Sequence, residues 1–231
     1  MKTMVLLSGG LDSATCLAIA VEKAGASNVA ALMIRYGQKH AKELHSAKLL
    51  ADFYGVEIHE LDLSAIFANL NCPLIAGSDR TIEHKSYAEQ IADGGVSTYV
   101  PFRNGLILSA AASFAYGNFG EAEIYIGVHA DDSAGDAYAD CRADFVDAIS
   151  AAVSIGTYGR IKIVAPFLGK TKAEVVKAGL ALNVPYQLTW SCYEGGDKPC
   201  GECGTCIDRA RAFELNGVRD PALEEYDVHC N

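Results

Sequence analysis

No stretch of the 231-residue chain approaches the roughly 20 consecutive apolar residues that span a membrane. The apolar run ahead of Ser8 is too short for a secretory signal, so the chain is expected to be cytoplasmic. Positive charge is also scarce: 19 Lys and Arg stand against 29 Asp and Glu, a formal charge of −10. A broad surface tracking nucleic-acid phosphates is therefore not expected, and a small-molecule substrate fits better. The chain has no internal repeat, no low-complexity tract and no Gly-Lys-Ser/Thr of a Walker loop. What is present is ordinary globular composition, 50% hydrophobic and 21% charged, with enough length for one full core or a core plus a small appendage.

Apolar runs alternate with helical patterning. Strands are expected at Thr3–Leu7, Val29–Ile34, Val56–Leu61, Ile124–Val128 and Ile161–Ala165. Helices are expected at Asp12–Lys23, His40–Tyr54, Gly105–Tyr116, Arg142–Ile155 and Lys172–Ala178. This alternation predicts an α/β fold, Rossmann-like, with a parallel five-stranded sheet. Between residues 71 and 98 the periodicity fails and turn residues cluster, which marks an insertion that reads equally as a lid or as a surface loop.

The first predicted strand runs into Leu7, Ser8, Gly9, Gly10, Leu11, Asp12, Ser13, Ala14 and Thr15. Glycines between a strand and a helix let backbone N–H groups face a ligand, and the helix N-terminus adds positive potential, so this segment suits an anion. Ser8 and Ser13 add hydroxyl donors. Asp12 is too acidic to meet phosphate and reads as a helix cap or a magnesium ligand. The bland alternative is a tight turn followed by an N-cap.

Eight cysteines in a reducing compartment are thiols or metal ligands before they are disulfides. Cys192, Cys200, Cys203 and Cys206 are spaced C-x7-C-x2-C-x2-C, with Gly201 and Gly204 where a chain wrapping an ion turns sharply. Four thiolates suit tetrahedral zinc in a closed, structural site; an iron–sulfur cluster and a redox Cys-x-x-Cys pair are the competing readings. Cys16 is expected to face the core, and His229 beside Cys230 reads as a tail.

The string Ser8-Gly-Gly-Leu-Asp-Ser13 resembles the pyrophosphate loop of N-type ATP pyrophosphatases, the PP-loop class with an adenine nucleotide alpha hydrolase-like fold. Together with the cysteine set, further strings in order resemble the 7-cyano-7-deazaguanine synthase (QueC) family over nearly the whole chain. They are Tyr36-Gly-Gln-Lys-His40, Val100-Pro-Phe-Arg-Asn104, Thr171-Lys-Ala-Glu174, Thr189-Trp-Ser-Cys-Tyr193, Cys200-Gly-Glu-Cys-Gly-Thr-Cys206 and Gly217-Val-Arg-Asp-Pro221. The chain departs from the family at Ser133–Arg142, which is longer than the usual Ser-Gly-Tyr-Pro-Asp-Cys-Arg and has Ala139 where the proline stands. Phe102 also replaces a smaller residue.

The resemblance implies a ligase that turns 7-carboxy-7-deazaguanine, ammonia and ATP into a nitrile through an activated carboxylate and an amide, in queuosine or 7-deazapurine biosynthesis. It implies ATP, magnesium and structural zinc, a homodimer and no stable nucleic-acid partner. Residues 1–185 would form the ATP-binding α/β domain and 186–231 the zinc segment with a C-terminal helix. Residues 7–15 would hold phosphate, with Arg103 and Lys172 neutralising the charge that develops on the nucleotide. Lys172 could equally be a solvated helix residue, whereas a buried Arg103 would need partners. Tyr36, Gln38, His40, Asp140, Cys141 and Arg142 would read the deazapurine, with strand-end capping for Tyr36 and Gln38 and an N-cap for Asp140 as plainer roles. Cys141 is not assigned as a nucleophile, because adenylation needs none. The rivals are a PP-loop enzyme acting on another carboxylate or thiolating tRNA, and a non-catalytic ATP- and zinc-binding module.

Overall fold

The computed structural model describes residues 1–39 and 41–223. His40, one of the expected substrate contacts, and the tail with His229 and Cys230 lie outside the described residues. The first half of the sheet comes from β1 (Lys2–Leu6), α1 (Leu11–Ala24), β2 (Val29–Arg35), α2 (Lys42–Tyr54) and β3 (Glu57–Asp62). Two short helices, α3 (Ser64–Phe67) and α4 (Tyr87–Ala92), precede α5 (Arg103–Phe119). Then follow β4 (Ala122–Tyr125), α6 (Ala130–Ser133), α7 (Ala143–Gly156), β5 (Ile161–Val164), α8 (Lys172–Ala181) and α9 (Gly204–Glu214).

All five strands pair in parallel, in the order β3-β2-β1-β4-β5. Strand alternation divides the core between the two faces of the sheet. Val5, Leu7, Ala31 and Met33 pack with Leu11, Leu17, Val175 and Val176 on one side. Met4, Leu6, Leu32 and Ile34 pack with Leu108, Ala112, Val146 and Val153 on the other. The chain winds outward from β1 in one direction and from β4 in the other, so the loops leaving those two strands diverge and open a crevice.

The strand expected at 124–128 ends at Tyr125. Gly127 leaves the ladder because it lies against the first turn of α1, where a Cβ would come within 3.0–3.1 Å of the Asp12 and Ser13 backbone. The insertion is not structureless. Phe67, Cys72, Leu74, Ile75 and Val100 form a small core of their own, and α4 begins with a capping box between Ser86 and Glu89. That Ser-x-x-Glu pattern was available in the sequence. The C-terminal segment shares the main core: the Tyr186 and Phe213 rings meet edge-on at 5.2 Å, and the buried Arg209 donates to both Asp220 oxygens at 2.6 and 2.9 Å and to Thr189 at 2.8 Å. No helix among the described residues is long and apolar enough to cross a membrane.

Candidate active site

The loop after β1 is fixed by its own atoms and by its neighbours. The Ser8 amide donates to Ser13 Oγ at 3.2 Å, the two hydroxyls lie 3.0 Å apart, and Ser13 Oγ donates to the Gly10 carbonyl at 3.0 Å. Gly9 has φ +91°, and a Cβ there would run into the Glu43 carbonyl of α2, so only glycine allows α2 to approach this closely. Trp190 N donates to the Gly9 carbonyl at 3.0 Å, which ties the loop to the cysteine segment. Gly10 occupies the N-cap of α1, so the first-turn amides point toward the crevice. Thr15 faces inward, sharing a 2.8 Å hydrogen bond with Tyr186 OH, and Cys16 is fully buried as expected.

Asp12 does not cap its helix; no side chain does. It belongs instead to a buried charge cluster under the loop. Lys172 Nζ lies 3.6 Å from Asp12 Oδ2, and His129 Nε2 lies 3.5 Å from Asp12 Oδ1 and 3.4 Å from Asp132 Oδ1. Burial works against Asp12 ionising, but Lys172 and then His129 outweigh it and hold the carboxyl well below its usual range. Lys172 is only 8% exposed, which removes the reading of a solvated helix residue. Its Thr171–Glu174 context is a capping box that starts α8 and aims the first turn at the crevice.

The crevice is a cavity of ≈ 230 Å³ lined on one side by Leu7, Ser8, Gly10, Asp12, Ser13, Asp132 and Lys172. Its other side is aromatic and comes from six separate segments: Tyr36, Tyr87, Tyr138, Tyr193 and Trp190 line it together with Glu43, Arg103 and Ser191. Arg103 lies over the Tyr36 ring at 5.2 Å, and Tyr87 OH and Tyr193 OH are 3.1 Å apart. Thr98 Oγ1 and Tyr138 OH are 2.8 Å apart, so the insertion supplies part of this wall. Burial pushes the Glu43 carboxyl up to about 7, against the opposing pull of Arg103.

The other sequence candidates take varied places. Gln38 caps the end of β2: its Oε1 accepts from Tyr36 N at 2.9 Å. Asp140 is buried and accepts from Asn104 N at 2.8 Å, which places it at the first turn of α5. Arg142 is exposed and pairs with Asp136 and Asp144 at 2.8 and 2.9 Å; it does not line the cavity. Cys141 does line it, under the amide of Asn104 at 3.2 Å, and burial raises its thiol pKa, which disfavours the thiolate a nucleophile requires. Phe102, at φ 53°, sits across Gly105 and meets Phe145 edge-on. Sequence reading missed His129, Asp132, Glu43, Tyr87 and Tyr138. The one local signal was position, since His129 follows a predicted strand at the sheet's carboxyl edge.

The four cysteines converge. The ligand atoms of Cys192, Cys200, Cys203 and Cys206 all lie within 4.8 Å of one another, and the Cys200 and Cys206 sulfurs are 4.0 Å apart. A disulfide needs about 2 Å, whereas two sulfurs on one tetrahedral ion at ~2.3 Å stand roughly 3.8 Å apart. Backbone amides of Cys200, Glu202 and Cys203 donate to the sulfurs of Cys192 and Cys200 at 3.3–3.4 Å, as suits thiolates. The donor set fits a metal ion.

Residues 2–217 match the family described as Queuosine biosynthesis protein QueC. The chain belongs to the QueC family. It is 41% identical over 226 residues to a 7-cyano-7-deazaguanine synthase of Archaeoglobus fulgidus, covering 97% of this chain and 91% of that one. It is 37% identical to the synthase of the same name from Caldicellulosiruptor bescii, covering 99% of each. A solved structure of an NMN synthetase from Francisella tularensis superposes with a TM-score of 0.50 at 15% identity, over 96% of this chain and 81% of that one. That likeness supports the fold alone.

Proposed function

We propose that this QueC member converts 7-carboxy-7-deazaguanine, ammonia and ATP into 7-cyano-7-deazaguanine. The observation that carries the reading is that one cavity joins the pyrophosphate-type loop to an aromatic wall with an arginine, so a planar acceptor and a nucleotide can meet. Ser8, Ser13 and the first-turn amides of α1 would take the departing pyrophosphate. Lys172 would neutralise charge on the transferring phosphorus. Asp12 Oδ1 has no hydrogen bond among the described residues and would hold the magnesium that accompanies the nucleotide. Arg103, placed on the aromatic side, would hold the acceptor carboxylate as it becomes a mixed anhydride with AMP. Tyr36, Tyr138 and Tyr193 would stack on or bond the deazapurine beside Cys141, with Gln38 and Asp140 supporting that wall from behind.

The cysteine set would hold zinc. With four protein ligands the ion has no open position, so it supplies folding energy and no chemistry. It anchors the segment whose Trp190 clamps the Gly9 carbonyl. The same reading places the protein in the cytoplasm, makes it a homodimer without a stable nucleic-acid partner, and assigns residues 1–185 to nucleotide binding and 186–231 to the zinc segment, two parts that share one core.

Incubation with MgATP, the carboxylate and ammonia, followed by mass spectrometry, tests the proposal. The expected product carries a nitrile in place of the carboxylate, with AMP and pyrophosphate released. ATP binding without product would sink it, and a gain of sulfur on tRNA would favour thiolation instead.

A further inference from the structure

Three carboxylates line the cavity: Asp12, Asp132 and Glu43. Two are committed, since Asp12 lies against Lys172 and His129, and Asp132 against His129. Glu43 is different. Among the described residues its carboxylate makes no hydrogen bond and no ion pair, although it stands with Arg103, Tyr36 and Tyr193 on the acceptor side. Its position is also built in, because it lies in the first turn of α2, whose backbone rests directly on Gly9 of the nucleotide loop. A displacement of the loop would displace Glu43 with it.

The proposed reaction creates a need for such a group. Ammonia forms the C–N bond to the activated carboxyl, the C–O bond to AMP breaks, and the nitrogen loses one proton to become an amide. In the second half the amide oxygen attacks the α-phosphorus of ATP and pyrophosphate leaves. The C–O bond then breaks with AMP carrying the oxygen, and the nitrogen gives up both remaining protons as the C≡N bond forms. Three protons leave one nitrogen, inside a cavity where the other candidates are unsuited: the Cys141 thiol and the tyrosines are raised by burial and stay protonated.

We infer that Glu43 is the base that accepts these N–H protons and passes them to solvent. This rests on the function proposed above. A positioned general base contributes about 10²–10⁴-fold, and the steps before it need no proton transfer. Adenylation and nitrile formation should therefore separate in a Glu43→Gln variant.

Two partial reactions read this. Exchange of labelled pyrophosphate into ATP, with the carboxylate and no ammonia, reports adenylation. Single-turnover conversion of the amide to the nitrile reports proton loss. Glu43→Gln, checked by thermal melting to be folded, is expected to keep exchange within about 3-fold and lose nitrile formation by about 10²–10⁴-fold. Glu43→Asp should recover part of that rate. The assignment is overturned if Glu43→Gln makes nitrile at the wild-type rate, or if exchange and nitrile formation fall together, which would make Glu43 a support for the loop. A wild-type protein that exchanges but forms no nitrile overturns the proposed function itself, and the assignment with it.

Discussion

The two walls of the cavity are built on opposite principles. The nucleotide wall is made of contiguous residues, Leu7–Ser13, whose hydrogen bonds run mostly among themselves, and of charges that neutralise one another in pairs. The acceptor wall is made of side chains from β2's end, α2, the insertion, α5, the 133–142 loop and the cysteine segment. One wall starts from the first strand and helix and gains only Asp132 and Lys172 from α6 and α8. The other exists only when the whole chain has folded, which is why the cysteine site and the buried Arg209–Asp220 pair matter to a pocket they do not enter chemically.

This contrast predicts a hierarchy of damage. Lys172→Met removes the cation paired with Asp12, leaving the two partly buried carboxylates, Asp12 and Asp132, with His129 alone. Pyrophosphate exchange should fall by roughly 10²–10³-fold, the usual cost of losing one stabilising donor at a developing charge. Unfolding stability should drop by about 1–3 kcal/mol as the carboxylates lose their partner. Chemical denaturation and exchange assays check both. A variant that lowered neither would break the idea of a mutually neutralised wall.

Arg103→Met should act on the opposite wall and act less. The KM for the carboxylate is expected to rise about 10–100-fold, the worth of one charge-assisted hydrogen bond. Exchange at saturating carboxylate should stay near the wild-type rate. If that variant instead loses exchange at saturation, as Lys172→Met does, Arg103 serves the nucleotide and the division between the walls is wrong.

The same contrast explains what was readable from the residues alone. The nucleotide loop and the cysteine set were legible because their chemistry is local: glycines at fixed spacing after a strand, and thiols at ligand spacing. The five parallel strands are legible from alternating periodicity, but their order is not, and the expected fourth strand runs three residues past the observed end of β4 because Gly127 is apolar-flanked and its departure depends on α1. Glu43 looks like an ordinary helix residue and Tyr87 like part of an irregular insertion, and only packing turns them toward one cavity. Asp140 and Gln38 show the converse. Their residue types suggest hydrogen bonding to a base, and the structure gives those hydrogen bonds to the backbones of Asn104 and Tyr36.

The smallest expected effect concerns how the insertion is held over the acceptor wall. His84 lies 2.9 Å from Glu194 and 3.0 Å from Glu202, on either side of the first cysteine loop. A hydrogen bond to Glu194 leads the causes that raise the imidazole pKa above 6.5. A raised histidine favours the bound, protonated form. The tether is therefore complete below pH 6.5 and is lost as pH rises through the shifted value. All three side chains are largely exposed, so solvent and salt weaken the link, and overall stability should scarcely change. Local opening is the sensitive readout: proteolysis within residues 71–98 should be faster at pH 8.5 than at pH 5.5, and His84→Ala should abolish the difference. Equal cleavage at both pH values in the unaltered protein would mean that the small core of Phe67, Leu74 and Val100 holds the insertion without help from His84.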